Sequence, residues 1–283
     1  MKIRVVVAAA LCVAVGFAAR SSGETKVRVL TYNIRHAEGL DGKVDLDRIA
    51  GIIRESRADI VCLQEVDRNL PRTSRADFPA LLSEKLKMAV AFDPNYQFDG
   101  GDYGNATLSR FDIVSQENIH LPGPPGKEPR GCLKTTLRVG NQNVEVFNAH
   151  LGLDSAERKE QAAAILAWIK NPEKLAPGKT PRPMILTGDL NEVRTGPAVS
   201  ALLEQFKDTA EPEAGKKIDY ILVSGPVSVL SSHVFSGRET AVASDHQPWL
   251  AELSLVKPPN KAADEGVPDN DDNRVTEAIV EGT

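Results

Sequence analysis

The sequence predicts an α+β domain in which a pair of mixed β-sheets packs beneath helices. Three observations carry the prediction. Short apolar runs rich in β-branched residues recur between residues 27 and 255, several at hairpin spacing. Segments with helical periodicity separate other runs, a mixture that indicates a sheet pair covered by helices. Finally, Asn33, Glu65, His150, Asp189 with Asn191, Asp219, and Asp245 with His246 each read as ending an apolar run. A sheet presents chemistry at its rim in this way, because strands deliver side chains there with little positional slack.

Val27, Val29 and Thr31 alternate with Arg28, Leu30 and Tyr32 in a first strand that ends at Asn33. Asp45 caps a helix whose Leu46, Ile49, Ile52 and Ile53 share one face. Asp59 to Gln64 reads as a buried strand carrying Glu65 at its end, and a helix with Leu81, Leu82 and Leu86 follows. Strands are expected near 104–109, 112–119, 131–139 and 143–149, with the Pro/Gly-rich loop 122–131 among them. Asp154 or Ser155 caps the next helix, which turns Ile165, Leu166 and Ile169 to the core. Met184–Thr187 is a strand ending in Gly188-Asp189, and strands near 218–223, 227–235 and 248–255 close the domain. Trp168 and Trp249 sit in apolar contexts and read as core, and no Trp/Tyr/Arg stripe marks a stacking surface.

The ends of the chain differ from its middle. Lys2 and Arg4 precede an apolar, small-residue stretch through Ala19, with Gly16-Phe17-Ala18 as a small-x-small cleavage site. Residues 1–19 therefore read as a signal peptide, or as an anchor if left uncleaved, and the mature chain is expected to be secreted or periplasmic. The stretch is too short and Ala-rich for a membrane span. Residues 25–256 form the domain. After Pro258-Pro259, residues 257–283 carry seven acidic and three basic residues with few apolar ones, the composition of a disordered acidic tail. Asp269 to Asn273 has a calcium-loop look, but Arg274 and Val280 stand where such a loop needs Gly and Glu.

Cys62 and Cys132 remain after cleavage and lie in apolar runs; they cannot build a disulfide framework, and the sequence leaves their pairing open. The net charge is −5 for the whole chain and −7 without the signal. No Lys/Arg block stands out, which argues against tight binding to a nucleic-acid backbone.

The polar positions offer oxygen ligands for a hard divalent cation, and two histidines, without a cysteine cluster or a Gly-rich phosphate loop. Glu65 is the first metal ligand by this reading. Asn33 either ligates through its carbonyl or holds Glu65 in place. Asp189 and Asn191, two apart, point at one water or form an Asx turn. Arg130 is either a phosphate clamp, since guanidinium matches phosphate oxygens, or a surface charge at a loop end.

The blocks Leu30-Thr31-Tyr32-Asn33-Ile34-Arg35-His36, Leu63-Gln64-Glu65-Val66-Asp67, Tyr103-Gly104-Asn105-Ala106 through Arg110, Asn148-Ala149-His150-Leu151, Gly188-Asp189-Leu190-Asn191, Ile218-Asp219-Tyr220 and Ser244-Asp245-His246 occur in this order. Together they resemble the endonuclease/exonuclease/phosphatase superfamily, which includes deoxyribonuclease I, abasic-site endonucleases, neutral sphingomyelinases and inositol-phosphate phosphatases. The resemblance implies a four-layer αββα sandwich with the site at one rim of two sheets. It also implies that a Mg²⁺ or Mn²⁺ ion is held by Asn33, Glu65 and Asp245. In the roles it carries over, Asp189 orients or deprotonates the attacking water, Asn191 helps place it, and Asp219 orients His246. His150 contacts phosphate or donates a proton, and Asn105 supports the site as a donor or as a turn residue.

Arg35 departs from the acidic residue that some nuclease members carry there, and only 27 residues separate Asn191 from Asp219. The expected activity is an exported metal-dependent phosphoesterase, a hydrolase acting as a monomer on a lipid-headgroup, sugar or small-molecule phosphodiester. A secreted nuclease is the alternative within the same chemistry, and an inactive binding module is the alternative outside it.

Overall fold

The computed structural model describes residues 24–170, 182–211 and 217–256. The signal-peptide and acidic-tail assignments lie outside these residues. Twelve strands build two sheets. The first contains β1 (Glu24–Asn33), β2 (Ile60–Arg68), β3 (Ala89–Phe98), β4 (Gly101–Ser109), β11 (Val227–Val234) and β12 (Trp249–Val256), ordered β11-β12-β1-β2-β4-β3. The second contains β5 (Asp112–His120), β6 (Gly131–Val139), β7 (Gln142–His150), β8 (Met184–Asp189), β9 (Lys207–Asp208) and β10 (Asp219–Ser224), ordered β5-β6-β7-β8-β10-β9. Helices α1 (Leu46–Ser56) and α2 (Phe78–Leu86) cover the first sheet, and α3 (Ser155–Ile169) and α4 (Pro197–Leu203) cover the second. A short α5 (Thr240–Ala243) precedes β12. These are the four layers, α, β, β and α.

The layering follows from strands that bury both faces. Val27 and Val29 of β1 join Ile60, Cys62, Val144, Val146, Ile185 and Ile221 between the sheets. Leu30 and Tyr32, on the opposite face of β1, pack with Ile49, Ile52, Ile53 and Leu82 under the first helix pair. Phe147, Ala149, Leu186 and Tyr220 do the same against Ala162, Ile165 and Leu202. Alternate side chains of one strand thus feed different cores, and the apolar runs are nearly continuous. Asp45 and Asp154 cap α1 and α3 by accepting backbone N–H bonds. Cys62 and Cys132 are buried free thiols.

In each sheet one pair of strands is parallel, β1 with β2 across α1 and β7 with β8 across α3. Asn33, His150 and Asp189 stand at the carboxyl ends of their strands, and that end of a parallel pair is where open α/β sheets place their sites. The remaining pairings are antiparallel, so residues reach the same rim from strand beginnings. Asp219 opens β10, opposite Asp189 in register, and Asp245 and His246 precede β12. The sequence reading placed all of them at strand ends; for Asp219, Asp245 and His246 the chain direction is reversed.

Glu65 is a second correction. It does not end β2, which runs on to Arg68. Leu63 pairs with Ala106 and Val66 with Gly104, so Gln64 and Glu65 together face Asn105 in a bulge, and Glu65 has φ 59°. A bulge re-aims a side chain, and left-handed backbone at a non-glycine residue persists only where its surroundings hold it. β3 and α4 were not foreseen.

Candidate active site

The two sheets are fastened beneath the rim by buried amides. Gln64 Nε2 donates to Asn148 Oδ1 at 2.7 Å, and Asn148 Nδ2 donates to the carbonyls of Leu63 and Ala106 at 3.0 and 2.9 Å. Asn105 Nδ2 crosses in the same direction to the carbonyls of Gly131 and Asn148 at 3.1 and 3.0 Å. Asn105 is therefore a strut between sheets. Its side chain does not line the cleft, and its role in this geometry is to place other residues.

Above these struts the first sheet meets Asp189 of the second. Asn33 Nδ2 lies 2.9 Å from Glu65 Oε1 and 3.1 Å from Asp189 Oδ2, while its Oδ1 accepts from Arg35 N at 3.0 Å. The amide thus turns its nitrogen to the two carboxylates, the holding role of the two open to it. Asp189 is 1% exposed. Its Oδ2 also lies 3.5 Å from Nε2 of both His150 and His246, and its Oδ1 accepts from Asn191 N at 2.9 Å. Gly188 prepares this placement: it has φ 140°, and a Cβ there would collide with the Ala149 carbonyl of the neighbouring strand.

His246 Nδ1 meets Asp219 Oδ2 at 2.9 Å. Burial pulls the imidazole pKa down, but the hydrogen bond and charge of Asp219, with Asp189 and Asp245, outweigh it and raise it to about 9. Burial, aided by the charge of Asp219, raises Asp189 to about 7. Burial and the adjacent Arg130 hold His150 well below the usual histidine range, so it is neutral. Arg130, 8% exposed, sits 3.0 and 3.1 Å from the two ring nitrogens of His150 and pairs with Glu128 at 2.6 Å. This places it inside the site, which removes the surface-charge alternative. Asp245 is half exposed, 3.8 Å from Arg35 Nε; Ser244 next to it anchors the loop on the Asn33 carbonyl at 2.8 Å.

Among the described residues one grouping brings three potential cation ligands together. Asp189, Asp219 and His246 bring ligand atoms within 4.8 Å of one another, but both nitrogens of His246 face carboxylates and its raised pKa keeps it protonated. A protonated imidazole has no lone pair to give. Outside that grouping, Glu65, whose Oε1 accepts from Asn33 Nδ2, and the half-exposed Asp245 offer carboxylate oxygens of the kind a hard divalent ion takes.

Glu65, Arg130, His150, Asp189, Asn191 and His246 line one cleft of about 360 Å³. Its remaining lining is what the sequence reading missed: Arg72, Tyr96, Phe98, Tyr103, Glu128 and Leu153. Tyr96 and Phe98 stack with centroids 4.8 Å apart, and the Arg72 guanidinium lies 5.5 Å from Phe98 and 5.3 Å from Tyr103. The expectation of no aromatic and arginine surface is thereby overturned. Tyr96 and Phe98, two apart in one strand, were the available signal, hidden because β3 was not recognised.

A rim of buried carboxylates and paired histidines over a four-layer sandwich is suited to the hydrolysis of phosphoric esters. The sequence matches the Endonuclease/Exonuclease/phosphatase family over residues 30–246, and the chain belongs to that family, whose members hydrolyse phosphoric esters and generally depend on a divalent metal. It is 31% identical over 254 residues to the uncharacterised protein YbhP of Escherichia coli, covering 81% of this chain and 96% of that one. Among solved structures it resembles an endonuclease/exonuclease/phosphatase protein of Beutenbergia cavernae, with TM-score 0.66 and 27% identity over 81% of this chain and 72% of the other. A mannosyl-6-phosphatase of Bacteroides thetaiotaomicron shares the fold, with TM-score 0.64 and 24% identity over 80% and 99% of the two chains. No helix among the described residues is long and apolar enough to cross a membrane.

Proposed function

We propose that the protein is an exported, Mg²⁺- or Mn²⁺-dependent phosphoesterase that hydrolyses a lipid-headgroup, sugar or small-molecule phosphoester. The observation that carries this reading is Asp189, a carboxylate at the meeting point of both sheets that is buried, held by Asn33 and Asn191, and raised to about 7. A base poised near neutrality suits abstraction of a proton from water. Asn191 positions that carboxylate through its backbone N–H. His246, kept protonated by Asp219, faces the same oxygen and places positive charge where negative charge develops on phosphoryl oxygens. Neutral His150, backed by Arg130, hydrogen-bonds the ester from the other side. Glu65 and Asp245 would hold the metal, with Asn33 fixing Glu65, and the ion when bound would neutralise the phosphoryl oxygens. Residues 1–19 support export.

The test is hydrolysis of bis(4-nitrophenyl) phosphate beside sphingomyelin, phosphatidylinositol, sugar phosphates, plasmid DNA and RNA. Activity should vanish with chelator and return with Mg²⁺ or Mn²⁺. Glu65→Gln should need at least about tenfold more metal, consistent with loss of a ligating carboxylate. Full activity of that variant in chelator removes the metal assignment, and highest efficiency on DNA replaces the small-ester reading with a nuclease.

A further inference from the structure

One wall of the cleft plays no part in the chemistry above. It comes from β3, the start of β4 and the turn after β2. Tyr96 and Phe98 stack there at an interplanar angle of 28°, and Phe98 meets Tyr103 edge-on at 6.4 Å. Arg72 is not a loose surface charge, because the fully buried Asp67 grips it through two hydrogen bonds of 2.8 and 2.7 Å. Glu128 closes the wall toward the catalytic side, paired with Arg130, which itself touches His150. Tyr103, which hydrogen-bonds Glu128, joins the aromatic pair to the Glu128–Arg130–His150 series.

We infer that this wall is the subsite for the organic group of the substrate, and that this group is a single polyhydroxylated ring, a monosaccharide bearing the phosphoryl group. The inference rests on the phosphoesterase reading and deepens it. Tyr96 remains 37% exposed inside the cleft, an open aromatic face on which the C–H face of a sugar ring lies with its apolar area buried. Ring hydroxyls both donate and accept, so they can add bonds to Glu128 and to Arg72 beyond those these make with Arg130 and Asp67. A cleft of about 360 Å³ has room for one ring beside one phosphoryl group.

The experiment measures kcat and KM with Mg²⁺ or Mn²⁺ on hexose, glycerol and adenosine esters, each as the monophosphate and as the methyl phosphodiester. The hexose esters should be preferred over glycerol esters by at least about tenfold in kcat/KM, in line with one aromatic contact. Tyr96→Ala should erase most of that preference, mainly through KM, and Tyr96→Trp should restore it. Arg72→Gln is the second variant should Tyr96→Ala fail to fold, and it should lower the same ratio. Equal rates on hexose and glycerol esters, preference for adenosine esters, or an unchanged ratio in a folded variant overturns the inference. Absence of turnover on every ester, bis(4-nitrophenyl) phosphate included, would strike the phosphoesterase reading instead. Calorimetric titration with hexose 6-phosphate then decides the subsite: binding weakened by Tyr96→Ala upholds it, and equal or absent binding overturns it.

Discussion

Asp219 holds one nitrogen of His246 at 2.9 Å and leaves the other facing Asp189, so Asp219 fixes the pose of the imidazole and contributes most to keeping it protonated, with Asp189 and Asp245 adding to that. In metal-free protein the His246 resonances should titrate near 9, and Asp219→Asn should bring the midpoint down; an unchanged midpoint by NMR would detach the pair. The linkage to stability has a definite sign. The folded pKa of His246 lies above the ordinary 6.5, so its contribution is complete below about 6.5 and is lost as pH rises through about 9. Asp189 is raised too, from 3.8 to about 7, and its contribution fades between those values in the same direction. Unfolding free energy of the metal-free protein should therefore decline from mildly acid to alkaline pH, less steeply in Asp219→Asn. With metal, Asp219→Asn should lower kcat by about 10²-fold, the usual scale for an acid–base partner. His246→Ala added to it should cost little more, because residues that act as a unit are non-additive. Additive losses in that cycle would show that the two act separately.

Single positions within strands decide where those side chains arrive. Gly188, at φ 140° and packed against the Ala149 carbonyl, admits no side chain without moving β7 from β8. Gly188→Ala should lower stability by more than about 2 kcal/mol, the scale of a forced backbone conflict, and Tm by roughly 5 °C or more. A melting curve matching wild type would mean that β8 has slack at its end. Which elements the sequence revealed has the same physical basis. β1, β2, β7 and β8 were legible because buried strands leave apolar runs, and α1 and α3 because their caps and faces agree. β3 was not, since Pro94 interrupts it; proline is tolerated there because β3 is an edge strand and its register shifts between Pro94 and Tyr96. The Glu65 bulge left no compositional mark, being fixed by what Asn105 and Asn148 do across the sheets. The catalytic positions were legible through their ordered blocks of neighbours. The aromatic wall was not, because its members become adjacent only after β3 and β4 pair.

At the scale of the molecule, the rim concentrates Glu65, Asp189, Asp219 and Asp245 on one side of a protein that is acidic overall. Like charges gathered there cost folding energy that a bound cation relieves, and a ligand that binds only the folded state stabilises it by mass action. Mg²⁺ or Mn²⁺ at about 100 times its dissociation constant should add about 2.7 kcal/mol, read as a Tm several degrees above that in chelator. Glu65→Gln should shrink the shift, and an equal shift in both proteins would place the ion elsewhere. The same acidity predicts weak polynucleotide binding with a shallow salt slope, since few phosphates would be neutralised by Lys or Arg; a steep slope would contradict it.

The order of the first sheet also governs when the protein can form. β1 lies between β2 and β12, with Glu24 opposite Val256 and Thr31 opposite Trp249, so among the described residues the first strand is flanked by the last. Synthesis proceeds from the amino terminus, and until residues 249–256 emerge β1 has an open edge and the rim lacks Asp245 and His246. The nascent chain consequently cannot complete this domain on the ribosome ahead of its final strand.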